Sequence, residues 1–263
     1  MHIVVCVKQV PDTTEVKINP ETNSLIRTGV PSIINPYDHF ALQTAIELKK
    51  IHGCRVTVIS MGPPQAKSVV QMGLALGADD GVLLSDMAFA GSDTWSTSYA
   101  LAKAVKKLGK VDIILTGMQA IDGDTAQTGP GIAQQLGIPQ VTFCEKIDID
   151  GRKLIARKLI DGGYEIVEVK APVLFTMNIP KDYVPRYPSF LETHASLRKP
   201  YNVWSASDIG AEKHYLGLKG SPTQVSRIYP PAQRGKASMT SGSAQEAVEK
   251  ILDIMRKERF IEG

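Results

Sequence analysis

Cysteine is scarce. The chain has 263 residues and only Cys6, Cys54 and Cys144, with no C-x-x-C and no run of Cys and His at metal spacing. A disulfide framework, a thiol redox couple and a cysteine-held metal are therefore excluded, and the three read as small buried hydrophobes. An excess of charge is missing too. Lys and Arg number 30 against 27 Asp and Glu, a net charge of +3 with no long basic run, which argues against nucleic acid binding by phosphate neutralisation. No apolar stretch approaches the roughly 20 residues that span a bilayer. The N-terminus, MHIVVCVKQVPD, has one short apolar run followed by Lys8, with no charged leader or cleavage site, so it reads as the first strand of a cytoplasmic protein. Histidine is sparse: His39, His52, His194 and His214 show no paired spacing, and no Ser/His/Asp arrangement stands out. No catalytic residue and no metal ligand is assigned.

What is present is an alternation of strand and helix patterns. IVVCV at 3–7 is a continuous β-branched run, as expected of a strand buried on both faces. Residues 35–53 read as a helix with Asn35 available as cap, Pro36 in the first turn, and Phe40, Ala41, Ala45, Ile46 and Leu48 facing inward. Strands at 55–60, 81–86 and 111–117 alternate with helices at 63–77 and 92–109, the last with Ser92 or Asp93 as cap. Strands joined by helices of this length call for an α/β fold with a doubly wound, mainly parallel sheet. Ligands then sit at the carboxyl ends of the strands, in the loops at 8–15, 61–64, 86–93 and 117–129.

Beyond residue 140 the texture changes. Two turn signals, Asp150-Gly151 and Asp161-Gly162-Gly163, sit among alternating residues, which predicts an antiparallel hairpin extension ending in the apolar strand VLFTM. A smaller hairpin, EVKINPETNSLIRTG, is expected after the first strand. The division expected is an α/β sheet domain at 1–180 and an irregular segment with a C-terminal arm at 181–263. From residue 180 on, the chain holds seven of its 16 prolines and five of its 8 tyrosines without clear periodicity. Such a segment either packs back on the main domain or lies on another subunit. It ends in an amphipathic helix opened by a Ser243/Glu246 capping box, with Val248, Ile251, Leu252 and Met255 on one face.

The stretch QAIDGDTAQTGPGIAQQLG, 119–137, places a glycine-rich loop between a strand and a helix starting near Thr128, with Pro130 in its first turn. Free amides and the dipole at such a helix start suit a phosphate. Gly129 and Gly131 would let it approach the backbone. Gln127 and Thr128 are neutral donors, while Asp122 and Asp124 suit ribose hydroxyls or loop amides. The loop is neither G-x-G-x-x-G nor a P-loop. On pattern alone, a nucleotide site and an ordinary long turn both stand.

Taken together, CVKQVPD, NPYDHFALQTAIELK, GADDGVLL, QAIDGDTAQTGPGIAQQLGIPQVTF and IDGGYEIVEVKAPVLFT resemble, in order and spacing, the electron-transfer flavoprotein β subunit, over essentially the whole chain. The resemblance implies an adenine-nucleotide α-hydrolase-like fold and a heterodimer with an α subunit that holds one FAD. Conventional members bind AMP structurally. In the electron-bifurcating branch the β subunit instead binds a second FAD that takes hydride from NADH. FAGSDTWSTS at 89–98, CVKQVPDT at 6–13 and GSPTQV at 220–225 are similar to that branch, which implies ferredoxin and, by way of the α-subunit FAD, an acyl-CoA dehydrogenase or reductase as electron acceptors. The family's nucleotide-binding positions map to Cys6, Asn35, Pro36, Tyr37, Asp38 and Met61, and to Asp122, Gly123, Asp124, Thr125, Ala126, Gln127, Thr128, Gly129, Pro130, Gly131 and Ala133. Thr94, Thr97, Thr223 and Gln224 are further candidates. RYPSFLETHASLRK at 186–199 resembles the family's dehydrogenase-docking loop, with Leu191 and Leu197 as apolar anchors flanked by Arg198 and Lys199.

Each residue also has a plainer reading: Asn35 as a helix cap, Met61 as core, Thr94 and Thr97 as helix-start residues, Tyr37 as packing. Without a redox group of its own, the chain does redox chemistry only through a bound cofactor. Three functions follow: a bifurcating β subunit, a conventional β subunit carrying AMP, or a stand-alone ATP-binding protein on the same sheet. The long aromatic tail argues against the third.

Overall fold

A computed structural model describes residues 1–12, 31–226, 239 and 242–261. Residues 1–226 form one compact unit and 227–263 a second. The first unit is built on strands β1 (His2–Cys6), β4 (Arg55–Met61), β5 (Asp80–Leu84) and β6 (Ile113–Gly117), all buried or nearly so, with β2 (Gln9–Pro11) and β3 (Ser32–Ile34) pairing antiparallel beside them. The hairpin expected at 15–29 lies outside the described residues; β2 and β3 flank it.

The helices that join the strands are α1 (Pro36–His52), α2 (Lys67–Leu76), α3 (Thr94–Leu108) and α4 (Thr128–Leu136). Local chemistry sets their ends. Pro36 opens α1, and Gly53 closes it with φ 67 and its amide on the Lys49 carbonyl. Asp93 caps α3, accepting from the Ser96 amide at 3.0 Å. Asn35 occupies the cap position of α1 but makes no cap bond; its side chain goes elsewhere.

After α4 the chain runs through β7 (Gln140–Asp150), β8 (Lys153–Ile160), β9 (Gly163–Lys170) and β10 (Val173–Met177). The first three form the expected antiparallel extension. VLFTM does not continue it. As β10 it enters the main sheet between β6 and β7, parallel to both. β7 bends where it leaves β10, at a bulge around Phe143, which holds φ 58. A last strand, β11 (Tyr201–Trp204), adds parallel to β5. The order is β11-β5-β4-β1-β6-β10-β7-β8-β9.

Alternate strand residues face opposite layers. Ile3, Val5, Val56 and Val58 pack with α1 and α2 on one face; Val4, Cys6, Ile59 and Ile114 pack with α3 and α4 on the other. Each fully buried branched side chain contributes roughly 1.5–3 kcal/mol. The order reverses at β1: β4 and β5 lie on one side of it and β6 on the other, so a crevice opens between the carboxyl ends of β1 and β6.

Up to residue 226 the aromatic tail packs back on the sheet domain. Tyr183 meets Phe40 edge-on at 4.9 Å, Tyr215 meets Tyr99 at 5.2 Å, and the Lys107 ammonium lies 5.0 Å from the Trp204 ring. In the second unit α7 (Ala244–Lys257) opens with the expected capping box of Ser243 and Glu246; α5 and α6 are short helices introduced below.

Candidate nucleotide site

The crevice is stitched by one carboxylate. Asp38, in the first turn of α1, accepts from the Lys8 amide at 2.8 Å and the Gly117 amide at 2.9 Å, joining the chain ends that leave β1 and β6. It is buried, and burial pushes its carboxyl up to about 7 against the pull of those amides, of Asn35 and of Lys8. Gly117 is glycine of necessity: a Cβ there would stand 2.4 Å from Asp38 Oδ1 and 2.7 Å from Tyr37 Cβ. Asn35 reaches across the same gap, donating from Nδ2 to the Gln119 carbonyl at 2.8 Å and accepting from the Ile121 amide at 3.2 Å. The start of α1 thus holds the loop that follows β6.

That loop bends through two non-glycine residues in the left-handed region, Asp124 (φ 48) and Ala126 (φ 53), a conformation that costs on the order of 1–2 kcal/mol each. Gln127 then returns to φ −108, ψ −20, at the start of α4. Alternation of left- and right-handed residues turns successive amides to one side, which makes a concavity for an anion. Among the described residues the backbone N–H groups of Thr125, Ala126, Gln127, Thr128 and Gly129 find no acceptor. With the dipole of α4 behind them, they are a site in search of negative charge.

The two carboxylates of the loop are engaged with side chains. Asp122 Oδ1 receives the Lys8 ammonium at 2.6 Å, and Asp124 Oδ1 accepts from the Gln119 amide group at 3.0 Å. Lys8 is a residue the sequence reading missed. Its signal was position: a lone cation directly after the first buried strand, at the ligand-bearing end of the sheet.

The glycines answer to packing. A Cβ on Gly129 would lie 2.6 Å from Thr116 Oγ1 and 2.7 Å from Thr176 Cγ2, and one on Gly131 would lie 2.6 Å from Ser98 Oγ. They let α4 sit close on the sheet and on α3. Gly123 faces open space. Ala133 stands apart from the other loop candidates, fully buried in the apolar layer with Ile132 and Leu174. Pro130 is half-buried in the first turn of α4.

The other candidates converge from neighbouring elements. Thr94 donates to Gln127 Oε1 at 3.1 Å, tying α3 to the loop. Asp93, also missed, takes the Thr223 amide at 2.9 Å and its hydroxyl at 2.7 Å, and its own amide donates to Ser221 Oγ at 2.8 Å. Burial pushes the Asp93 carboxyl up, but its bonds from Ser96 and Thr223 outweigh that and hold it below the usual carboxylate range. The latter bonds bring Thr223, with exposed Gln224 after it, to the residue that precedes Thr94; Thr97 is half-buried one turn further along α3. This segment follows α6 (Gly217–Gly220). Cys6 and Met61 end their strands on the same edge; Cys6 is buried, and burial pushes its thiol up to about 12, so it is inert. Pro36 and Tyr37 are half-buried at the head of α1.

Leu191 and Arg198 are not part of this cluster. Leu191 lies in α5 (Phe190–Ser196), with Leu197 and Arg198 just after it, and α5 packs against α2. Leu191 and Leu197 are exposed, as is Arg198. Lys199 turns inward and donates to the Leu74 and Ala78 carbonyls, at 2.8 and 2.7 Å, so it serves the end of α2 and is not a free flank of the anchors.

The electron transfer flavoprotein domain model matches residues 22–208. The chain belongs to the electron-transfer flavoprotein family, on the β-subunit side. It is 51% identical to the electron transfer flavoprotein subunit beta of Clostridium acetobutylicum, over 99% of this chain and 100% of that one. It is 46% identical to the caffeyl-CoA reductase-Etf complex subunit CarD of Acetobacterium woodii, over 99% and 100%, and 43% identical to protein FixA of Azorhizobium caulinodans, over 100% and 96%. Among the described residues no group of three or more His, Cys, Asp or Glu could hold a metal, and no helix is long and apolar enough to cross a membrane.

Proposed function

We propose that this chain is the β subunit of a bifurcating electron-transfer flavoprotein, paired with an α subunit, and that it binds FAD along the carboxyl edge of β1, β4 and β6. The observation that carries the reading is the run of five unpartnered amides from Thr125 to Gly129 at the head of α4. Five donors in one concavity fit the diphosphate of a dinucleotide, and the carboxylates beside it are already neutralised by Lys8 or hydrogen-bonded by Gln119.

When bound, the flavin would supply hydride acceptance from NADH and one-electron delivery to ferredoxin and, by way of the α-subunit FAD, to an acyl-CoA dehydrogenase. The chain's own part is binding and orientation. The amides hold the diphosphate. Lys8 and Asp122 border the ribose. Cys6, Met61 and residues 35–38 form the floor. Asp93 fixes the 221–223 segment, with Thr223 and Gln224, as a wall beside Thr94 and Thr97. Residues 181–263 act as docking loop and arm, with Leu191, Leu197 and Arg198 facing the dehydrogenase. The branch rests on that wall and on the similarity of residues 6–13, 89–98 and 220–225.

Extraction of the nucleotides from the purified αβ protein, with an absorbance spectrum, tests the reading. Two FAD per αβ pair are expected. One FAD and one AMP would place the chain among the conventional carriers.

A further inference from the structure

The segment between β10 and β11 meets the start of α1 around Arg186. His39 and Gln43 stand one turn apart on the same side of α1. Gln43 Oε1 accepts from the Arg186 amide at 2.8 Å, and His39 Nε2 lies 2.9 Å from the Arg186 carbonyl, to which it donates. Both polar groups of one backbone residue are thereby held, as a neighbouring strand would hold them. The Tyr183 hydroxyl shares the Gln43 oxygen, and the Tyr187 ring lies tilted against His39 with centroids 5.2 Å apart. His39 is 2% exposed, and burial lowers its basicity, so the ring is neutral with its proton on Nε2. A leucine would fill this buried position at a smaller desolvation cost; the imidazole is explained by the carbonyl it meets.

From Arg186 the restraint continues. Its guanidinium pairs with Glu192 in α5, and Glu192 closes a capping box with Ser189. At the far end Lys199 is fixed on the Leu74 carbonyl in the last turn of α2 and the Ala78 carbonyl just past it. Between the two anchors Phe190, Leu191 and Leu197 are 82%, 77% and 65% exposed. A helix of 7 residues does not hold its own shape in water. Presenting apolar side chains in one arrangement removes ordering cost from association.

We propose that His39 and Gln43 are positioning residues for partner docking: they grip the Arg186 backbone so that α5 presents Phe190, Leu191 and Leu197 in one fixed orientation. This rests on the reading of 186–199 as the dehydrogenase-docking segment. The test uses the αβ protein with NADH, a dye acceptor and a purified acyl-CoA dehydrogenase. In the double variant His39→Leu with Gln43→Leu, amide hydrogen exchange at 186–197 is expected to rise about tenfold or more. KM for the dehydrogenase rises about fivefold, while kcat, the dye rate and nucleotide content stay at parental values. His39→Gln, whose side-chain amide can donate from the same place, restores both readouts. Gln43→Leu alone, at a half-buried position, gives an intermediate effect and serves should the double variant fail to fold. Unchanged exchange overturns the proposal. So does faster exchange with unchanged KM when the paired control, Leu191→Ala with Leu197→Ala, raises KM; the docking reading then stands. If that control also leaves KM unchanged, the docking reading falls and the proposal with it.

Discussion

Two glycines eight positions apart show how one residue type carries different physics. At Gly131 an added methyl meets Ser98 Oγ at 2.6 Å, across the α3–α4 contact; at Gly123 it meets nothing within 4 Å. Gly131→Ala should therefore cost about 1–3 kcal/mol through overpacking, while Gly123→Ala should stay within about 0.5 kcal/mol. Urea unfolding of the αβ protein measures both. Asp38 makes a second case. Its ordinary pKa of 3.8 rises to about 7 in the fold, so the folded state binds the extra proton between those values. Its contribution to stability is full below the unfolded pKa and is lost as pH rises through the folded one. The stability of the parent relative to Asp38→Asn should then rise as pH falls from 8 to 5, by no more than about 1.4 kcal/mol per pH unit. A difference that is flat in pH, measured by denaturant titration, would mean that the carboxylate stays ionised on its two amides throughout.

At the scale of elements, periodicity carried most of the fold. The β-branched run of β1, the 3.6-residue pattern of α1 and the turns at Asp150-Gly151 and Asp161-Gly162 are local signals, and the elements stand where those signals lie. Two features were invisible because they are decided between distant segments. VLFTM reads as one more strand of a meander, yet Leu174 and Phe175 are buried on both faces because β10 fills the gap between β6 and β7. The side chain of Asn35 reads as a cap, yet it bonds Gln119 and Ile121, 84 and 86 positions away. The glycine-rich loop was legible as a candidate cradle, but its strained residues, Asp124 and Ala126, were not, since neither is a type that announces a left-handed conformation as glycine does. Residues 186–199 show the same division. Arg198 and Lys199 are alike in sequence and opposite in use. Lys199→Ala removes a cation from one carbonyl in the last turn of α2 and one just past it, and should cost about 1–2 kcal/mol. Arg198→Ala should leave stability unchanged and weaken turnover with the dehydrogenase. Thermal melts and acceptor kinetics on the two variants separate these roles.

For the whole molecule the question is what the exposed apolar surface is for. On the antiparallel extension Leu154, Ala156, Val167 and Val169 pack with the α1-side core. The opposite side carries Leu159, Tyr164 and Ile166, which are 38%, 55% and 65% exposed, with the Arg157 guanidinium 4.7 Å from the Tyr164 ring. β9 is the last strand of its sheet, so its outer backbone groups have no ladder partner among the described residues. A monomer gains nothing from a bare apolar edge of this kind, whereas a subunit whose family works as an αβ pair needs one. The extension is thus the expected seat of the α subunit. Leu159→Asp with Ile166→Asp should weaken αβ association about tenfold or more, a loss of roughly 1.4 kcal/mol, while the melting of the chain alone stays unchanged, because both residues already face solvent there. Analytical sedimentation of the mixed subunits reads the affinity. The parental chain purified without its partner should melt early and oxidise NADH poorly. A compact, NADH-oxidising monomer would show instead that this surface has no partner to wait for.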